Sequence, residues 1–67
     1  MTTTYNLLSN DEKAQIKIAA KRNLEYQMYA LEIDLLAENA RTNPDAAKIA
    51  SLEDEISEKQ TQIAAIV

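Results

Sequence analysis

The chain has 67 residues, 46% of them apolar, and eleven acids against seven bases for a formal charge of −4. There is no Gly, Cys, His, Trp or Phe and only one Pro. This excludes disulfide scaffolds, Cys- and His-based catalysis and zinc sites, glycine-built phosphate cradles, and most hairpin-rich β folds. The length allows one folding unit at most, and the composition leaves an all-α chain with no catalytic role and no cofactor or metal expected.

Residues 1–8 are Thr-rich and β-branched, with Tyr5, Leu7 and Leu8 as apolar handles. Such a stretch resists helix and reads as an extended N-terminal arm, either frayed or docked. It has neither the basic stretch nor the apolar core of a signal peptide, and no apolar run reaches the ~20 residues of a membrane span. Synthesis in a cytoplasm, with no membrane partner, is therefore expected.

Ser9-Asn10-Asp11-Glu12 has the pattern of a capping box, in which Ser9 and Glu12 each accept the other's amide. It predicts a helix over about 9–41, dense in good helix formers. The break comes at Arg41-Thr42-Asn43-Pro44, because Pro pushes Asn43 out of the helical region. Asn43 as N-cap with Pro44 in the first turn starts a second helix over about 44–65. So short a break folds the helices back on one another, as an antiparallel αα-hairpin with residues 9–67 as its domain.

The second helix carries one coiled-coil-like stripe. Ile49, Ile56 and Ile63 fall at a, and Leu52, Lys59 and Ile66 at d, and the rest is mostly polar or Ala. The first helix carries two. Ile16, Ala20, Leu24, Met28, Leu31 and Leu35 gather on one side; Ile18, Tyr26, Tyr29, Ile33, Leu36 and Ala40 gather roughly opposite. A single neighbour covers one of them, and the sequence leaves open which one. Ile18, Tyr26, Tyr29, Ile33 and Leu36 are the candidates for an interface, since Tyr is enriched at interface cores; packing under the second helix is the competing role. A lone hairpin has no enclosed core, so a homo-oligomer or a larger protein partner is expected.

Two charged constellations stand apart. Glu53-Asp54-Glu55 with Glu58, and Asp34 with Glu38, have the oxygen ligands of a hard-cation site but no wrapping loop, and read as solvated helix faces. Lys13, Lys17 and Lys21 recur every fourth residue with Arg22 beside them, for a phosphate or an acidic patch. The net negative charge and the lack of interleaved aromatic platforms argue against nucleic acid. Charge is also polarised: residues 9–22 balance to +2 and residues 23–40 to −4.

The stretch Arg22-Asn-Leu-Glu-Tyr-Gln-Met-Tyr29, the following Ala37-Glu-Asn-Ala40, the Asn-Pro-Asp turn and the opening Tyr5-Asn-Leu-Leu-Ser-Asn-Asp-Glu-Lys13 resemble small proteins of tailed phages of marine cyanobacteria. The resemblance brings no functional residues. It implies a setting: an accessory virion component, structural and assembled from the hairpin, or a regulator made in the host cytoplasm to bind and modulate a host protein.

Overall fold

The computed structural model describes residues 7–67, and among them the chain forms two helices and no strand. Helix α1 spans Asn10–Asn39 and α2 spans Ala46–Ala65. Of the arm expected at 1–8, residues 1–6 lie outside the described residues, while Leu7 and Leu8 precede α1 and are exposed.

Side-chain chemistry sets the start of α1. Ser9 is extended, its hydroxyl accepts the Glu12 N–H at 3.1 Å, and the Glu12 carboxylate accepts the Ser9 N–H at 3.0 Å. The reciprocal pair satisfies two amides that the first turn leaves without partners. Donation from the Ser9 backbone, then from its hydroxyl, holds the Glu12 carboxyl below its ordinary pKa.

At the other end Ala40 remains right-handed, its N–H donating to the Leu36 carbonyl at 3.1 Å, and the Arg41 N–H donates to the Glu38 carbonyl at 3.2 Å. The chain reverses over residues 40–45 with no positive-φ residue among those described. Gly, the usual left-handed stop of a helix, is absent from the chain, and neither Asn39 nor Asn43 takes its place with a positive φ.

The start of α2 differs from the expectation. Its N-cap is Asp45, not Asn43, and Pro44 lies before the helix instead of in its first turn. The Asp45 carboxylate accepts the N–H groups of Ala47 at 3.0 Å and Lys48 at 3.3 Å. Asn43 and Asp45 are equivalent as cap types, but Asp45 sets a full negative charge against the helix dipole. Its own N–H is also taken by Glu38 at 3.0 Å, which fixes it at the helix entrance.

The two helices pack along each other as a hairpin. Every residue of α2 is exposed except Ile49, Leu52, Ile56, Lys59 and Ile63, and Ile66 just past its end is also sheltered. On α1 the matching sheltered positions are Lys21, Leu24, Met28, Leu31, Leu35 and Glu38, again at alternating spacings of 3 and 4, with Glu32 half-sheltered at their edge. With α1 30 residues long and α2 20, about 15 Å of α1 has no counterpart in α2. Ile16 at 55% exposure and the exposed Ala20 belong by wheel position to the covered face, yet lie in the part of α1 before Lys21.

Candidate interaction surface

The α2-facing side of α1 is the Leu24, Met28, Leu31 and Leu35 side, which decides the question the wheel left open. The opposite side remains in solvent: Ile18 is 64% exposed, Tyr26 68%, Tyr29 61%, Ile33 45% and Leu36 66%. Sequential neighbours Leu35 and Leu36 show the division, one half-buried and one exposed. Scattered apolar residues on a surface are ordinary, but a contiguous stripe of large ones along one helix marks a contact face.

The exposed stripe is more regular than the expected set. Ala19, Arg22, Tyr26, Tyr29, Ile33, Leu36 and Ala40 alternate at spacings of 3 and 4, and all are exposed. This is a second heptad seam on the back of the first. Ala19 and Arg22 extend the set grouped by apolarity toward the start of the helix, and the unbroken spacing is the signal that finds them. Arg22 sits over the Tyr26 ring with its guanidinium carbon 5.7 Å from the centroid. That contact lays the arginine stem along the stripe and leaves the head group for a further partner.

Glu38 departs from the solvated face expected for it. Only 3% of it is exposed, and with Leu52 at 8% it is one of two buried residues among those described. Arg41 Nη1 donates to both carboxylate oxygens at 3.2 and 3.0 Å, the Asp45 N–H donates to Oε2 at 3.0 Å, and Lys48 Nζ lies 3.4 Å from Oε1. The Asp45 amide is the main cause holding this carboxyl below its ordinary pKa; shelter from water opposes it, and Arg41 and Lys48 assist. One side chain therefore ties the end of α1, the turn and the first turn of α2. Its role is to fix the exit of the turn, and with it the face of α1 that α2 covers.

The other acids weighed for a cation site are open to water. Asp34, Glu53, Asp54, Glu55 and Glu58 are exposed, and among the described residues no three carboxylates converge as a metal site would require. Lys17 and Arg22 are exposed while Lys13 and Lys21 are half-sheltered, so the basic stripe splits between two sides of α1. Leu8, Lys13, Ile16 and Lys17 line a shallow, open recess of about 200 Å³. Among the described residues no helix is long and apolar enough to cross a membrane. No protein-family model, curated protein or solved structure matches the chain.

Proposed function

We propose that this chain is a non-enzymatic interaction protein, in which α2 braces α1 from one side and α1 presents its outward stripe to another protein surface. The observation that carries the reading is the opposition of the two seams. Leu24, Met28, Leu31 and Leu35 are covered by α2, while Tyr26, Tyr29, Ile33 and Leu36 are turned away from it and exposed. Two tyrosines at the centre of such a stripe supply large, stiff contact area with few rotors to freeze. The likeness to small proteins of cyanobacterial phages adds the setting, an accessory virion component built from assembled hairpins.

The test is the native mass of the full chain in extract of the cells that produce it, beside the same chain carrying Tyr29→Asp. Tyr29 is mostly exposed, so the variant keeps the hairpin, which circular dichroism verifies. The full chain should run well above its 7.5 kDa monomer mass, and the variant should fall back to it. A full chain found at monomer mass in the extract overturns the reading, as does a complex indifferent to Tyr29→Asp.

A further inference from the structure

Taking the outward stripe of α1 as a binding face, we infer that its occupant is the same stripe of a second copy, running antiparallel, so that two hairpins close into a four-helix array with both α1 helices at the centre. This rests on the proposed function and names its partner. Four observations lead to it.

The period comes first. Ala19, Arg22, Tyr26, Tyr29, Ile33, Leu36 and Ala40 keep the alternation of 3 and 4 without a fault. A 3.5-residue repeat keeps one edge of a helix facing another helix over several turns, and a face that meets only water has no use for it.

Area comes next. The two tyrosines, 68% and 61% exposed, together offer about 250 Å² at the usual size of aromatic side chains. Ile18, Ile33 and Leu36 raise the apolar face to on the order of 500 Å² per copy, and both copies with their polar flanks reach about 1,000 Å², the lower bound of a specific interface. The hairpin, with Leu52 its one buried apolar residue among those described, stands to gain from that cover.

Charge fixes the direction. Residues 9–22 balance to +2 and residues 23–40 to −4, so antiparallel pairing sets the basic end of each α1 toward the acidic end of the other and brings Arg22 near an acid of the other copy. Parallel pairing would stack Arg22 on Arg22 within the seam.

The pattern then fixes the register. With the two-fold axis between Tyr26 and Tyr29, Ala19 lies opposite Leu36, Arg22 opposite Ile33, and Tyr26 opposite Tyr29 of the other copy. The small residue meets the large one, the tyrosines pair twice, and Arg22 comes beside Glu32 of the other copy. An isologous pair of this kind closes on itself and leaves no sticky end. Because α2 lies on the far side of α1, nothing among the described residues obstructs it.

The experiment uses the purified full chain, whose lack of Cys makes introduced thiols unambiguous. Light scattering should find a species of twice 7.5 kDa with Kd in the micromolar range, as suits an interface of this area. A mixture of Ala19→Cys and Leu36→Cys copies should oxidise to the mixed disulfide in preference to either self-disulfide. Arg22→Glu should weaken the dimer roughly tenfold, and Glu32→Arg added to it should restore affinity. Ala19→Cys copies joining to themselves, or a charge swap without rescue, would overturn the antiparallel register. A pure chain that stays at monomer mass at every concentration would overturn self-pairing altogether. The extract measurement is separate from this: a large complex sensitive to Tyr29→Asp in extract, with a monomer in pure solution, means the face binds a different protein, and the loss of both means the face itself was misread.

Discussion

Leu52→Ala tests the packing at its most sheltered point. Leu52 is 8% exposed and sits in the first third of the α2 stripe, with half-buried Ile49 and Ile56 a turn away on either side. The substitution removes three carbons, worth about 0.8 kcal/mol each when buried, or about 2 kcal/mol in all. Because the seam between two helices is open at its edges, the gap fills with water and little is added for a closed void; the loss therefore belongs at the low end of the 2–5 kcal/mol range for such changes. A chain of this size holds about 3–10 kcal/mol in total. The variant should thus melt roughly 8–16 °C lower than the parent, read as helical ellipticity against temperature at fixed protein concentration. Leu36→Ala is the control: at 66% exposure only about a third of that transfer energy is at stake within one hairpin, some 0.8 kcal/mol. Its effect should grow with protein concentration, since that is where the outward stripe acts. If Leu36→Ala costs as much as Leu52→Ala in dilute solution, α2 covers the other face of α1 and the assignment of the two seams is wrong.

Glu38 and the helix cap give two further predictions. The folded-state pKa of Glu38 lies below its ordinary value of 4.5, so its contribution is complete above that value and is lost as pH falls through the lower, folded one. Glu38→Gln should therefore melt below the parent at neutral pH, with the gap closing under strong acid as the parent's own carboxyl becomes neutral; a gap that does not change with pH would show that the charge is not what ties the turn. Ser9→Ala removes the acceptor for the Glu12 N–H and should cost about 1 kcal/mol, with the added amide exchange confined to the first turn of α1. Exchange that rises evenly along α1 would count against a local cap.

Much of the fold can be read along the chain, because the deciding interactions there are local. Ser9 and Glu12 are three residues apart, and their capping box depends on nothing distant. The single stripe of α2 leaves one way to lay that helix down, and its sheltered residues from Ile49 to Ile66 are the members of that stripe. The break at Asn43-Pro44 follows from the ring of one proline. The exact start of α2 does not, since Asn43 and Asp45 are both able caps and the choice fell to the one whose amide Glu38 accepts.

The two-sided α1 is where the sequence by itself stops. Both of its stripes have the 3.5-residue period, so the wheel weights them alike, and a periodic pattern has no term for the direction in which the chain leaves the helix. That direction belongs to the tertiary structure. Ala40 keeps helical dihedrals, no described residue takes a positive φ, and Glu38 binds Arg41, Asp45 and Lys48 at once. Together these bring α2 onto Leu24, Met28, Leu31 and Leu35 and leave Tyr26, Tyr29, Ile33 and Leu36 to the outside. The sequence determined that α1 would have two faces to cover; the turn, through one buried carboxylate, decided which of them faces the world.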